Sequence, residues 1–158
     1  MNITVISVGK IKEKYFTAAI DEYSKRLSRF AKLNIIEVAD EKIPDNASEK
    51  EMEQIKEKEG NKILAKLPQN SFVVTLCIEG KEHFSEELAK KIADISMTSS
   101  HITFIIGGSL GLSDTVKSKS ALRLSFGKMT LPHQLMHVVL LEQIYRAFKI
   151  NNNESYHK

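Results

Sequence analysis

The chain has 158 residues, 42% hydrophobic and 27% charged, the size and balance of one soluble domain able to bury a core. No run of about 18 apolar residues occurs, and Met1 to Lys10 lacks the basic-then-apolar pattern of an export signal, so a membrane span and secretion are disfavoured and a cytoplasmic location is expected. The single cysteine, Cys77, excludes an internal disulfide and zinc sites built on paired thiolates, while 23 Lys and Arg against 20 Asp and Glu leave a net charge of +3 that decides little by itself.

Ile3, Val5, Ile6 and Val8, ended by Gly9, form a short apolar run of the kind that makes a strand buried on both faces. From Tyr15 to Phe30 the residues Phe16, Ala19, Ile20, Tyr23, Leu27 and Phe30 recur at three and four, which predicts a helix. Lys10, Lys12, Lys14, Lys25, Arg26, Arg29 and Lys32 make this region basic, and the cluster reads either as a solvated face or as a contact for nucleic acid. Leu33 to Val38 reads as a second strand. The stretch Asp40 to Glu59 is rich in acids. Within it Pro44 and Asn46 break the chain, and Ser48 with Glu51 makes a capping box that opens a helix to about Leu67, closed by Pro68 and Asn70. Ser71 to Ile78 is strongly β-forming and is expected to stop at Glu79 and Gly80, after which Ser85 starts another helix. His101 to Ile106 is a strand that runs into Gly107 and Gly108. Ser113 and Asp114 cap a short helix, Arg123 to Phe126 is a weak strand, and a last helix is expected from Pro132 to about Lys149. Alternating strands and helices predict an α/β domain with a mostly parallel sheet flanked by helices.

In such sheets ligands bind beyond the carboxyl ends of strands, which singles out the loops Leu76 to Gly80, Gly107 to Gly111 and Phe126 to Pro132. The second of these is too short for the dinucleotide fingerprint, and no phosphate-loop lysine follows it. A nucleotide hydrolase would also need magnesium carboxylates that have no counterpart here. The glycines serve either as plain turns or as places where a ligand approaches the backbone. His133 and His137 share a helix face like half of a zinc-protease site, but Gln134 stands where that motif needs Glu and no third ligand is in view; no metal is expected, and both are read as surface or interface histidines. Glu142 and Arg146 are spaced for a helix salt bridge. The last helix is apolar around most of its girth between Leu135 and Leu141, which points to a face packed on a second subunit and so to a homodimer. Asn151 to Lys158 is expected to fray by position. Tyr156, His157 and Lys158 argue otherwise, because a phenol, an imidazole and an ammonium in succession suit stacking on a base and neutralising phosphate.

The segments Phe104-Ile-Ile-Gly-Gly-Ser-Leu-Gly111, Ser125-Phe-Gly-Lys-Met-Thr-Leu-Pro-His133, Leu141-Glu-Gln-Ile-Tyr-Arg-Ala147 and Tyr156-His157 resemble the small RlmH family, methyltransferases of the SPOUT class that act on N3 of a pseudouridine in 23S ribosomal RNA. Val8-Gly9-Lys10 and Lys58-Glu59-Gly60 extend the resemblance over the whole chain, and the C-terminal third is its specific part. The resemblance implies a SPOUT-type α/β knot, in which the C-terminal segment threads into a trefoil knot that cradles S-adenosyl-L-methionine, with two subunits packed across that region. Chain physics alone disfavours a knot. By the family's pattern the cofactor contacts fall on Leu76, Gly108, Gly127, Lys128, Met129, Thr130, Leu131 and Pro132. The implied substrate is the 23S RNA of the assembled 70S ribosome, and the early basic helix and the tail become candidates for phosphate contacts.

Methyl transfer is an in-line displacement, so the protein must align donor and base and help N3 shed its proton. Tyr156 and His157 are expected to position the base, with Glu142 orienting them or accepting the proton, from the same or the partner subunit; His133, Arg146 and Lys158 are candidates for substrate contacts. Some positions depart from the family. His137 stands where arginine is frequent, Lys158 stands where arginine is common, and the tail lacks the glycine of some relatives. Two competing readings stand beside this one: a non-catalytic ribosome-binding factor of the same fold, and a SPOUT methyltransferase acting on transfer RNA.

Overall fold

A computed structural model describes residues 1–158. Five strands, β1 (Asn2–Val8), β2 (Lys32–Val38), β3 (Phe72–Glu82), β4 (His101–Ile106) and β5 (Leu122–Ser125), form one sheet in the order β2-β1-β4-β3-β5, with every pairing parallel. Parallel neighbours need crossover connections, which here are α1 (Lys14–Leu27), α2 (Glu49–Lys66), α3 (Ser85–Ser96) and α4 (Asp114–Ser118); α5 (His133–Asn151) follows the last strand. The α/β class and the mostly parallel sheet expected from the sequence are what the chain adopts.

The period-two alternation of the strands divides the core in two. Ile3 and Val5 of β1 and Ile102, Phe104 and Ile106 of β4 face α1, α3 and α5, whose Leu27, Leu88, Ile92, Leu140, Leu141 and Ile144 complete one cluster. Ile6, Val8 and Ile105 face the other way, onto Ile63 of α2, Leu112, and Val116 of α4. β1 and β4 are therefore covered on both sides, as their unbroken apolar runs imply.

The local signals act as chemistry dictates. Ser48 accepts from the Glu51 N–H while the Glu51 carboxylate accepts from the Ser48 N–H, so the capping box satisfies two donors at the start of α2. Asn46 and Asn70 take positive φ at the two breaks that flank α2. Helix α1 ends at Leu27, earlier than Phe30, because the Ser28 hydroxyl donates to the Lys25 carbonyl and the chain must turn within a few residues to enter β2. Helix α5 starts at His133 with Pro132 in the capping position and runs on to Asn151.

One strand boundary is corrected by the structure. Strand β3 does not stop at Glu79 and Gly80. Leu76 and Lys81 both stand opposite Leu124 of β5, so residues 77–80 leave the ladder as an excursion and the strand then resumes to Glu82. Gly80 permits this, since a Cβ there would lie 2.8 Å from the Arg123 backbone. The C-terminal tail, whose position alone suggests fraying and whose Tyr156, His157 and Lys158 argue against it, is folded onto the domain. Asn153 takes φ of 53°, its N–H donates to the Ile150 carbonyl and that of Glu154 to the Lys149 carbonyl, a Schellman turn that folds the tail back over the domain. Glu154 then accepts from Arg29 and Lys149, tying the tail to α5 and to the turn after α1.

Candidate active site

The excursion within β3 and the loops that leave the carboxyl ends of β4 and β5 enclose a cleft of about 640 Å³. They are the three singled out from the sequence. The excursion of β3 contributes Leu76 to Glu79, the turn after β4 contributes Gly107 to Leu112, and the loop after β5 runs from Phe126 back across the strand ends to α5. The walls mix apolar side chains, Ile106, Leu110, Leu124, Leu131 and Met136 among them, with polar groups and glycine backbone. That balance, and that volume, suit an organic ligand of moderate size.

Backbone freedom shapes the cleft at two places. Gly111 and Gly127 sit at φ of 84° and 125°, conformations that side chains resist. Ser125, buried at the end of β5, ties two of the loops together: its hydroxyl donates to the Ile78 carbonyl at 2.9 Å and accepts from the Gly127 N–H at 3.1 Å. The opening turn of α5 is anchored as well, since Gln134 accepts from the backbone N–H of Lys12 and Glu13. The His133 ring lies against Gly9, where a Cβ would meet it at 3.0 Å.

Of the residues expected to hold the cofactor, Leu76, Gly108, Gly127, Met129, Thr130, Leu131 and Pro132 all line this cleft. Lys128 lies on the same loop but is exposed and outside the lining. His133 lines it too. Cys77, Ile78, Glu79, Lys117 and Met136 complete the walls without having been singled out one by one; the first three lie in the loop the sequence named, whereas Lys117 carries no motif.

A second constellation forms where the tail meets α5. Arg146 donates to both Glu142 oxygens, and the Tyr156 hydroxyl donates to Glu142 Oε1 at 3.1 Å. Burial and this hydrogen bond push the Tyr156 phenol up to about 12, so it stays protonated at neutral pH and acts as a donor. The Arg146 guanidinium also lies 4.7 Å from the Tyr156 ring centre. Arg146 Nη1 stands 3.1 Å from His157 Nδ1, and because a guanidinium only donates, Nδ1 is the acceptor. His157 then carries its proton on Nε2, which donates to Glu86 Oε1 at 2.9 Å. Glu86, at the start of α3, had no signal in the sequence beyond its place in a first helical turn. The structure thus brings Glu142, Arg146, Tyr156 and His157 together, while Lys158 is exposed at the chain end.

The two constellations are separate within one subunit. Met136 belongs to the cleft and Glu142 to the tail network, a separation of about 9 Å along the helix axis. His137, expected at a surface or an interface, is instead fully buried in the subunit beneath α5, and neither ring nitrogen has a partner. It lies on the stripe of Leu140, Leu141 and Ile144 that faces the sheet, so helical phase places it inside. Burial, with His133 one turn away, pushes its imidazole down to about 4 and keeps it neutral.

Residues 1–157 match the family model described as "Predicted SPOUT methyltransferase". The chain belongs to this SPOUT methyltransferase family. It is 59% identical over 159 residues to "Ribosomal RNA large subunit methyltransferase H" of Clostridioides difficile (strain 630) and 61% identical to the protein of the same name from Clostridium novyi (strain NT), in each case over 100% of both chains. Among solved structures, "a probable methylase family protein from Haemophilus influenzae Rd KW20" superimposes with a TM-score of 0.55 at 14% identity, covering 99% of this chain and 70% of that one, which shows a shared fold. No helix of this SPOUT family member is long and apolar enough to cross a membrane.

Proposed function

We propose that this SPOUT methyltransferase transfers a methyl group from S-adenosylmethionine to N3 of a pseudouridine in the 23S RNA of the assembled ribosome, working as a homodimer with a knotted C-terminal segment. The convergence of the β3, β4 and β5 loops on one cleft carries the reading. It is supported by the relatives, whose names specify large-subunit ribosomal RNA.

The residues fit the donor. Apolar side chains at Ile106, Leu110, Leu124 and Leu131 suit a purine, and the open space at Gly111 and Gly127 exposes backbone groups to its polar edge. When bound, S-adenosylmethionine supplies a methyl group on a positively charged sulfur that leaves as a neutral thioether. What remains for the protein is alignment and removal of the N3 proton. Tyr156, held protonated, donates a hydrogen bond to a base carbonyl or orients Glu142; Glu142 is the acid–base candidate; His157 and Arg146 hold the tail in register. Since these groups stand apart from the cleft of their own subunit, a second copy packed on the half-buried face of α5, at Leu135, Val139 and Glu142, supplies them to the opposite cleft. The loop 126–132, which crosses the strand ends before entering α5, is the segment through which the knot is drawn.

The test is transfer of radiolabelled methyl from S-adenosylmethionine to ribosomes lacking the modification, with free large subunits and transfer RNA in parallel, followed by nuclease mapping. Label on one pseudouridine of assembled ribosomes is the expected result. Label on transfer RNA alone, or donor binding without label anywhere, would refute the substrate assignment.

A further inference from the structure

Of the residues lining the cleft, Glu79 and Lys117 are the carboxylate and the ammonium, and they face each other with Lys117 Nζ 2.5 Å from Glu79 Oε1. They come from different walls. Glu79 is presented by the excursion of β3 that Gly80 makes possible, and Lys117 by the last turn of α4. The Lys117 side chain is 19% exposed and that of Glu79 54%, so the pair stands at the wet rim of a cleft whose other lining side chains are largely apolar. The hydrogen bond from Lys117 holds the Glu79 carboxyl below the usual carboxylate range, so it is ionised at neutral pH.

A ligand offering one charge of each sign complements such a pair. Its cation replaces Lys117 at Glu79, its anion replaces Glu79 at Lys117, and the exposed bridge between the two side chains is weak enough to open. A sugar diol can hydrogen-bond to both groups but brings no charge to replace the one it displaces at either. We propose that Glu79 and Lys117 form the subsite for the zwitterionic amino-acid end of the methyl donor, Glu79 taking the α-ammonium and Lys117 the α-carboxylate. The inference rests on the reading that this cleft binds S-adenosylmethionine. It places the nucleoside among the apolar side chains and the charged end at the rim.

Calorimetric titration of the full chain and of Glu79→Gln, Lys117→Met and the charge-swapped Glu79→Lys, Lys117→Glu double variant tests it, using S-adenosylmethionine, S-adenosylhomocysteine and 5′-methylthioadenosine. The last ligand keeps the nucleoside and lacks the amino acid. Each variant is expected to weaken S-adenosylmethionine and S-adenosylhomocysteine by about tenfold or more and to leave methylthioadenosine unchanged. The swapped variant, which restores a bridge between the walls, is expected not to recover. Equal loss for all three ligands, no loss, or recovery in the swapped variant would overturn the subsite and leave the donor reading standing. Failure of the unaltered protein to bind any of the three would overturn the donor reading itself and the subsite with it.

Discussion

Replacing His137 by leucine removes the one imidazole that lies fully inside the subunit. In the folded chain its value is pushed from 6.5 down to about 4, whereas in the unfolded chain it titrates normally. Between those values the unfolded state binds the extra proton, so the stability that His137 allows is complete above about pH 6.5 and declines as the pH falls. At about 1.4 kcal/mol per unit over about 2.5 units, the decline amounts to about 3 kcal/mol, reached near pH 4. Leucine has no such dependence and a similar volume, and it leaves no unpartnered donor or acceptor in the core. At pH 7 the variant is therefore expected to be more stable by about 1–3 kcal/mol. The assay is urea unfolding of both proteins at one protomer concentration, across about pH 7 to pH 4.5. His83 and His101, which burial also pushes down, persist in both proteins and cancel in the difference. Curves that stay parallel across this range would refute the reasoning, because a buried neutral histidine must separate them.

Tyr156→Phe, Glu142→Gln and His157→Ala are each expected to lower turnover on the order of 100-fold with donor affinity near normal, measured by single-turnover transfer beside calorimetry; full activity in all of them would remove the tail network from the site. Gly80→Ala drives a Cβ into the Arg123 backbone, so a loss of about 1–3 kcal/mol in urea unfolding is expected, with weaker donor binding as the β3 excursion shifts. Glu59 is buried behind Gly108, accepts the Glu41 N–H, and has its carboxyl raised, burial being the main cause. A raised value means that its contribution is complete below the unfolded value and is lost as the pH rises through the folded one. Glu59→Gln should therefore gain stability relative to the unaltered protein on going from about pH 4 to pH 7, read from urea midpoints.

What was legible in the sequence is what local chemistry determines. Apolar runs gave β1 and β4, a serine and a glutamate opened α2, and strand ends followed by glycine gave the cleft loops. What was not legible depends on groups far apart in the chain. The excursion of β3 exists because Leu124 is shared by Leu76 and Lys81, and no feature of residues 76–82 alone announces a partner some forty residues on. The fate of His137 turns on which side of α5 meets the sheet, and a helix apolar around most of its girth does not reveal its inner stripe. The tail shows the same limit from the other side. Its asparagines read as a fraying end, yet one of them at positive φ closes a Schellman turn, and Glu154 then meets Arg29, which the turn after α1 places within reach. Glycines and strand ends mark the cleft within single segments, so local sequence is enough to locate it. The ion pair at its rim is not local, because Glu79 and Lys117 meet only when two separate walls come together.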